Sequence, residues 1–329
     1  MGVVHKAFCA TCVAGLAAMQ FMAGAACAQA YPSKPVRVVI PAASGGGIDI
    51  VGRIAAEKLT GAFGIQFIAE NRAGAGGRTG TATVAKSPND GYTLLAGTAG
   101  TTILATAMYP DLPYVPLRDF APISMLATTS YLLIINSAVP ARTLKEFIAL
   151  ARSKPGALNY ATTGVGSPAH LGNELFDILA GIQTTHIPFK GSVGGVTSVV
   201  QGDSQFMFAN LLTALPLIRS GRVVTLGVTS LKRSTIMPDV PTIIEGGVKD
   251  FEMQQFFSMW APAGTSKDII ARLNAEIVSR LPSPDTVSRF AADGSEVNVG
   301  TPEALYKVTA DQTAKWSKLI REKGIKGED

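Results

Sequence analysis

The feature that most constrains the fold is a glycine-rich turn between an apolar run and a helical pattern. Pro35–Ile40 is short and rich in β-branched residues, which predicts a buried parallel strand. Asp49–Ala62 has apolar residues at helical spacing, which predicts an amphipathic helix. Pro41–Ile48, with three consecutive glycines, joins the two. Such a turn leaves backbone N–H groups uncovered at the positive end of the helix, so we expect it to bind an anion.

The turn does not match either common nucleotide motif. A dinucleotide fingerprint needs a glycine where this chain has Ile50, and a phosphate-binding loop needs Lys-Ser/Thr where Ile48-Asp49 follow. The charge of Asp49 disfavours a phosphate dianion but is compatible with a carboxylate. The alternative is a plain strand–turn–helix connection in which Ser44 or Asp49 caps the helix.

Residues 1–30 have the pattern of a signal peptide. A short basic start at His5-Lys6 precedes small and apolar residues, and Ala28-Gln29-Ala30 is a small-x-small cleavage box. We expect cleavage after Ala30 and an exported, soluble protein. A retained membrane anchor and a lipoprotein linked through Cys27 are the alternatives.

Cysteine usage and charge exclude several classes of function. All three cysteines lie within residues 1–30, so the exported chain has no thiol for catalysis, metal binding or disulfides. Lys6 aside, 28 Lys and Arg residues stand against 24 Asp and Glu residues, and the positive charges form no block. We therefore expect no nucleic-acid partner. The chain is also expected to act without a cofactor or metal and as a monomer.

Strand-like and helix-like segments alternate along residues 31–329, which predicts an α/β fold with mostly parallel strands. Strands are predicted at Ile65–Asn71, Tyr92–Thr98, Tyr131–Asn136, Leu158–Ala161, Thr185–Phe189, Gln205–Phe208 and Thr225–Thr229. Further helices are predicted to end at Lys86 and to span Thr143–Lys154, Ala169–Ile182, Ser266–Leu281 and Thr301–Lys323.

Irregular segments near 122–131 and 251–262 divide this alternation into two series. They suggest two lobes joined by two crossover segments, with residues 31–128 and 258–329 in the first lobe and residues 129–257 in the second. A single large domain fits the pattern nearly as well. In either arrangement, loops at the ends of strands line the place where α/β proteins bind ligands.

Further strand ends supply candidate contacts. Thr98–Thr102 is a small polar loop, and Tyr160–His170 repeats the strand–loop–helix design of the first turn. His170 is a ligand contact, a general base or a structural residue near a helix start. Lys190 is an ion-pair partner of an acid or a solvated lysine. His186 is expected in the core or at the surface. Phe256, Phe257 and Trp260 form a cleft wall or belong to the core.

Six separated motifs, in order along the whole exported chain, resemble those of the Bug/TctC-type solute receptors of tripartite tricarboxylate transporters. They are Tyr31–Pro35, the PAASGGGID turn, Glu70–Gly77, Asp90–Leu95, Val240–Thr242 and Ala261–Thr265.

The resemblance implies a periplasmic binding protein fold of type II character: two α/β lobes, two crossover segments and a ligand cleft between them. It also implies that a carboxylated solute is held mostly by main-chain amides. Mapped onto this chain, the implied contacts are Ala43, Ser44, Gly45, Gly46, Gly47, Ile48, Asp49, Thr98, Ala99, Thr101, Thr163, Gly164, Gly166, Ser167, His170, Lys190, Gly191 and Asn210.

Two positions depart from the family pattern, because Ile48 replaces a usual Thr or Ser and Phe256 replaces a usual tryptophan.

The function that the resemblance implies is capture of a small organic acid and its delivery to membrane transporter subunits, without catalysis. Two alternatives are a ligand sensor that docks on a membrane signalling protein and a periplasmic hydrolase or lyase. The enzyme alternative is disfavoured because the chain has no Gly-x-Ser-x-Gly elbow and no metal-ligand spacing.

Overall fold

The computed structural model of the chain describes residues 31–189 and 191–326. The predicted signal peptide over residues 1–30 and the predicted contact Lys190 lie outside this part of the chain. No helix in the described ranges is long and apolar enough to cross a membrane.

The predicted strand–turn–helix unit is present at the start of the fold. Strand β1 (Val36–Ile40) is almost wholly buried, as expected for a β-branched run in the middle of a sheet. Helix α1 (Gly47–Phe63) begins two residues earlier than predicted and ends at Gly64, which adopts the left-handed conformation favoured by glycine at φ 67°. The apolar positions at helical spacing face inward: Val51, Ala55 and Leu59 are at most 1% exposed.

The remaining elements continue the alternation. The strands are β2 (Phe67–Asn71), β3 (Thr93–Thr98), β4 (Phe120–Asn136), β5 (Asn159–Thr162), β6 (Thr185–Pro188), β7 (Phe206–Asn210), β8 (Val223–Val228), β9 (Gln254–Pro262) and β10 (Glu296–Val297). The helices are α2 (Arg78–Ala85), α3 (Ala105–Met108), α4 (Pro116–Asp119), α5 (Leu144–Ser153), α6 (Pro168–Ala180), α7 (Ser192–Gln201), α8 (Leu211–Arg219), α9 (Lys267–Arg280), α10 (Pro284–Ala292) and α11 (Pro302–Lys323). A 3₁₀ turn lies at Ala75–Gly77 and a π-helical turn at Gly100–Leu104.

The strands join in the order β2-β1-β3-β9-β4-β7-β5-β6, with β8 and β10 also paired to β4. Strands β1, β2 and β3 are parallel, and so are β5, β6 and β7. The long strand β4 is antiparallel to its partners and joins the two groups. Its residues Phe120–Ser130 pair with β9, and Tyr131–Asn136 pair with β7 and β8.

The segment near 122–131 is therefore a regular strand and not the irregular connection that the sequence suggested. Pro122 obscures the strand pattern, because proline lacks the N–H that a strand interior needs. The structure accommodates it at a register shift between Pro122 and Ser124. The segment near 251–262 is likewise mostly strand β9.

Each group of strands has its own hydrophobic core. Around β7, the rings of Phe147 and Phe206 meet edge to face at 4.9 Å, and Phe208 stacks on Phe251 at 5.5 Å. Around β3 and β9, the fully buried Trp260 belongs to a second cluster. Residues from Lys34 onward form one compact unit by their contacts. The lobe boundaries at 128/129 and 257/258 therefore stay a prediction.

Candidate functional site

The glycine-rich turn presents three free backbone amides. Gly46 is the N-cap of α1 in extended conformation, and no side chain caps the helix. The carbonyl of Gly46 accepts from the amides of Asp49 (2.8 Å) and Ile50 (3.1 Å). Among the described residues, the amides of Gly46, Gly47 and Ile48 have no hydrogen-bond acceptor. Three donors at the positive end of a helix are suited to an anion.

Asp49 holds the shape of this turn. Its side chain is buried, and Oδ2 accepts from the Gly45 amide at 3.0 Å. Oδ1 accepts from Arg53 Nε and from Asn71 Nδ2, both at 2.8 Å. Burial raises the pKa of Asp49, but the bonds from Arg53, Gly45 and Asn71 outweigh it, so the pKa lies below its usual value. Both carboxylate oxygens are therefore engaged within the protein, in a structural role.

A cavity of about 360 Å³ opens beside the free amides. Its lining comes from both groups of strands and from the ends of three helices, α1, α8 and α10: Gly45, Gly46, Gly47, Ile48, Thr98, Thr129, Tyr131, Asn210, Leu212, Thr213, Gln255, Phe257 and Asp293. No lysine or arginine is among these lining residues. An acid bound here would be held by amides, hydroxyls and carboxamides.

The register of the sheet explains why these polar residues meet. Thr129 of β4 lies opposite Gln255 of β9, and Tyr131 lies opposite Asn210 of β7. Residues two apart on a strand share a face, so Thr129 and Tyr131 point to the same side of β4. Phe257 lies two residues beyond Gln255 on the same face of β9.

The β3 partner of Phe257 is Thr98, which supplies the remaining strand-end contact. Hydroxyl and carboxamide groups thus form the floor beneath the turn.

Asp293 brings the only carboxylate among the lining residues. It directly follows the last residue of α10, and its Oδ2 lies 3.0 Å from the position that a β-carbon on Gly47 would occupy. Among the described residues its side chain has neither an ion-pair nor a hydrogen-bond partner. Burial raises the pKa of Asp293.

Six of the predicted site residues line this cavity: Gly45, Gly46, Gly47, Ile48, Thr98 and Asn210. The others near the first turn do not. Ser44 is exposed and its hydroxyl donates to Asn71 Oδ1 at 3.2 Å, and the neighbouring Ala43 is also exposed. Ala99 and Thr101 are buried, and the Thr98 amide donates to Thr101 Oγ1 at 3.2 Å. Thr101 therefore supports the loop that presents Thr98.

The predicted contacts of the β5–α6 loop lie away from this cavity. Ser167 caps α6 by accepting from the His170 amide at 3.3 Å. The Gly166 amide donates to His170 Nδ1 at 3.0 Å, and the His170 ring stacks on His186 at 4.1 Å. Thr163 and Gly164 belong to the same loop. A ligand-binding role for these residues stays a prediction.

The two histidines and Gly191 have identifiable structural contacts. Burial lowers the pKa of His170, and burial together with the neighbouring His170 lowers the pKa of His186 to about 4. The contacts of His170 with Gly166 and His186 are compatible with a structural role. Gly191 is the N-cap of α7, and its amide donates to the Phe189 carbonyl at 3.1 Å.

The three aromatic residues of β9 divide between the two predicted roles. Phe257 lines the cavity, whereas Trp260 is fully buried and donates from Nε1 to Ser258 Oγ at 2.8 Å. Phe256 packs in the same core cluster as Trp260.

Sequence reasoning did not propose six of the lining residues. They are Thr129, Tyr131, Leu212, Thr213, Gln255 and Asp293. A strand alternation through Thr129 and Tyr131 would have pointed to two of them. An Asp-Gly turn after an amphipathic helix marks Asp293, but nothing local relates it to Gly47.

The cleft presents free amides, hydroxyls, carboxamides and one carboxylate where two groups of parallel strands are joined by the antiparallel strands β4 and β9, so the predicted mostly parallel pairing is wrong. A cleft of this kind defines a class of small-molecule binding proteins. The family model described as "Tripartite tricarboxylate transporter family receptor" matches residues 51–325. The chain belongs to this family.

Similar proteins agree with this membership. Protein BugT of Bordetella pertussis is 35% identical over 300 residues, covering 91% of this chain and 92% of BugT. The structure of periplasmic binding protein BugD has a TM-score of 0.70 at 32% identity, covering 91% of this chain and all of BugD.

Two related structures were solved with organic acids. Rpa4515 of R. palustris, solved with adipate, has a TM-score of 0.74 at 32% identity and covers 90% of this chain and 99% of its own. MatC (Rpa3494) from Rhodopseudomonas palustris, with bound malate, has a TM-score of 0.70 at 31% identity and covers 88% of this chain and all of its own. The predicted family and two-lobed α/β fold class are confirmed.

Proposed function

We propose that this protein is a periplasmic receptor that captures a small carboxylate through the free amides of Gly46, Gly47 and Ile48 and delivers it to a tripartite tricarboxylate-type membrane transporter. The observation that carries the proposal is this set of three amides, unpartnered among the described residues, beside a cavity whose described lining has no cationic side chain. Adipate and malate bound to two relatives support an organic acid as the ligand.

Three amides supply enough binding free energy for a receptor. Micromolar affinity requires about 8 kcal/mol. A hydrogen bond to a charged group contributes about 1.5–3 kcal/mol, and a helix terminus adds about 0.3–1 kcal/mol. Three such bonds, together with contacts to Thr98, Thr129 and Asn210, reach micromolar affinity without a basic side chain.

The cavity also fits binding better than hydrolysis. A hydrolase needs a nucleophile paired with a base at hydrogen-bond distance. The described lining residues include threonines but no histidine, lysine or cysteine, and Thr129 Oγ1 lies 2.8 Å from Ser295 Oγ, which cannot act as a base. Asp293 is the one carboxylate among them, and no described hydroxyl donates a hydrogen bond to it.

Calorimetric titration of the mature protein with organic acids and with their methyl esters tests the receptor function. We expect an acid to bind with micromolar or tighter Kd, its fully esterified form to bind at least about tenfold more weakly, and no product to form during prolonged incubation. Equal binding of acid and ester would contradict carboxylate capture, and turnover of either would contradict a receptor. The transporter role would be contradicted if cells that lack the membrane subunits took up the labelled acid as fast as intact cells.

A further inference from the structure

One group in the cavity is not explained by carboxylate capture alone. Asp293 places a carboxylate oxygen 3.0 Å from a β-carbon position on Gly47, and the Gly47 amide nitrogen is only two bonds from that position. An acid group bound to the free amides therefore comes close to a second acid group. Two carboxylates in contact repel each other unless a hydrogen lies between them.

The surroundings of Asp293 provide no such hydrogen. No described residue donates a hydrogen bond to its carboxylate, although its backbone amide donates to the Phe290 carbonyl at 2.9 Å. The side chain also lies at the carboxyl end of α10, where the helix dipole disfavours negative charge.

The position of Asp293 is fixed by its neighbours. Ser295 Oγ lies 2.8 Å from Thr129 Oγ1 on the cavity floor, which anchors the turn to β4. A β-carbon on Gly294 would lie 3.3 Å from Leu211 Cβ, so the turn fits closely against the start of α8. The carboxylate is thus positioned in the cavity by a closely packed turn.

We propose that Asp293 is a specificity-determining residue that accepts a hydrogen bond from a donor on the ligand atom next to the captured carboxylate. The site then prefers acids with an α-ammonium or α-hydroxyl group to plain acids of the same length. This inference rests on the proposed function. Asp49 cannot serve in this way, because its oxygens are occupied by Gly45, Arg53 and Asn71.

Matched ligands test the proposal directly. Succinate, malate and aspartate share a four-carbon diacid frame and differ only in the α-substituent, and adipate and 2-aminoadipate form a six-carbon pair. We expect the wild-type protein to bind the donor-bearing members of at least one set about tenfold or more tightly than the plain member, the difference that one hydrogen bond to a charged group supplies.

Asp293→Asn is the decisive variant, and Asp203→Asn is its matched control. Asp203 is also an aspartate just past the end of a helix, but it is exposed and does not line the cavity. We expect Asp293→Asn to reduce the preference for an ammonium donor to below about threefold and Asp203→Asn to leave it unchanged. The melting temperature without ligand should be equal or higher in Asp293→Asn, which shows that the variant folds.

Two results overturn the proposal. In the first, plain acids still bind, but the preference for donor-bearing acids is the same in wild type and Asp293→Asn, or is absent in wild type. The receptor function would then stand without this specificity. The second is the failure of every acid to bind the wild-type protein, which would refute the receptor function and this inference together.

Discussion

Replacing Gly47 by proline removes one of the three free amides while preserving the path of the backbone. Gly47 is the first residue of α1, a position where proline is favoured because its N–H has no helical partner. The preceding Gly46 has φ −87° and ψ 166°, which lies in the region allowed before proline. Gly47→Pro is therefore expected to fold and to have one hydrogen-bond donor fewer than the wild-type site.

Gly47→Ala is the matched control, because alanine adds a β-carbon and keeps the N–H. That β-carbon lies 3.0 Å from Asp293 Oδ2 and 3.2 Å from Phe257 Cζ, so both variants displace these neighbours slightly. The proline Cδ also takes the place of the amide hydrogen, so the ratio of the two dissociation constants reports the lost hydrogen bond together with this steric exclusion of the ligand. One hydrogen bond to a carboxylate contributes about 1.5–3 kcal/mol, so Gly47→Pro should bind at least about 10-fold more weakly than Gly47→Ala.

Isothermal titration calorimetry with an acid that binds the wild-type protein measures this ratio, and melting temperatures without ligand confirm that both variants fold. Equal dissociation constants for Gly47→Pro and Gly47→Ala would refute the role of the Gly47 amide.

Three further predictions follow from named contacts. Asp49→Asn should lower the free energy of unfolding by about 1–3 kcal/mol in denaturant titration, because it disrupts the bonds of Asp49 to Gly45 and Arg53. It should weaken the binding of all acids to the same extent, because Asp49 shapes the turn without contacting the ligand. A selective loss of amino-acid binding would contradict this. His186 has a native pKa of about 4, below its unfolded value of about 6.5, so its stabilising effect is present above pH 6.5 and is lost as the pH falls towards 4. When the pH falls from 7.5 to 5, the free energy of unfolding of the wild-type protein should decrease by about 1 kcal/mol more than that of His186→Gln, after allowance for the partial exposure of His186. Equal decreases would contradict the lowered pKa of His186. Phe147→Ala should cost about 3–5 kcal/mol because its fully buried ring packs on Phe206, and a cost below about 1 kcal/mol would contradict that contact.

The first turn of the site could be predicted from the sequence because its determinants are local. The β-branched run before the glycines and the apolar spacing after them fix β1 and α1 independently of the rest of the chain. Thr98 and Asn210 were predicted for the same reason, since each ends a strand that is recognisable by itself.

The other side of the cavity depends on pairings between distant segments. Gln255 reaches the site because β9 pairs with β4 in a register that places it opposite Thr129. Pro122 hid the first half of β4, and with it the floor of the cavity. Asp293 reaches Gly47 only through the docking of α10, which no local pattern specifies.

Asp49 makes one contact that the sequence can predict and two that it cannot. Its ion pair with Arg53 follows from helical spacing, whereas its bonds to Gly45 and Asn71 require the folded turn and the neighbouring strand. Because both oxygens of Asp49 are engaged in these bonds, the proposed hydrogen bond from the ligand is assigned to Asp293.

A crystal structure of the mature protein with an organic acid that binds in calorimetry tests the central claim most directly. The account predicts that carboxylate oxygens lie within about 3.2 Å of the amide nitrogens of Gly46, Gly47 and Ile48. An acid group seated on a lysine or arginine elsewhere, with these three amides turned away from it, would contradict the account.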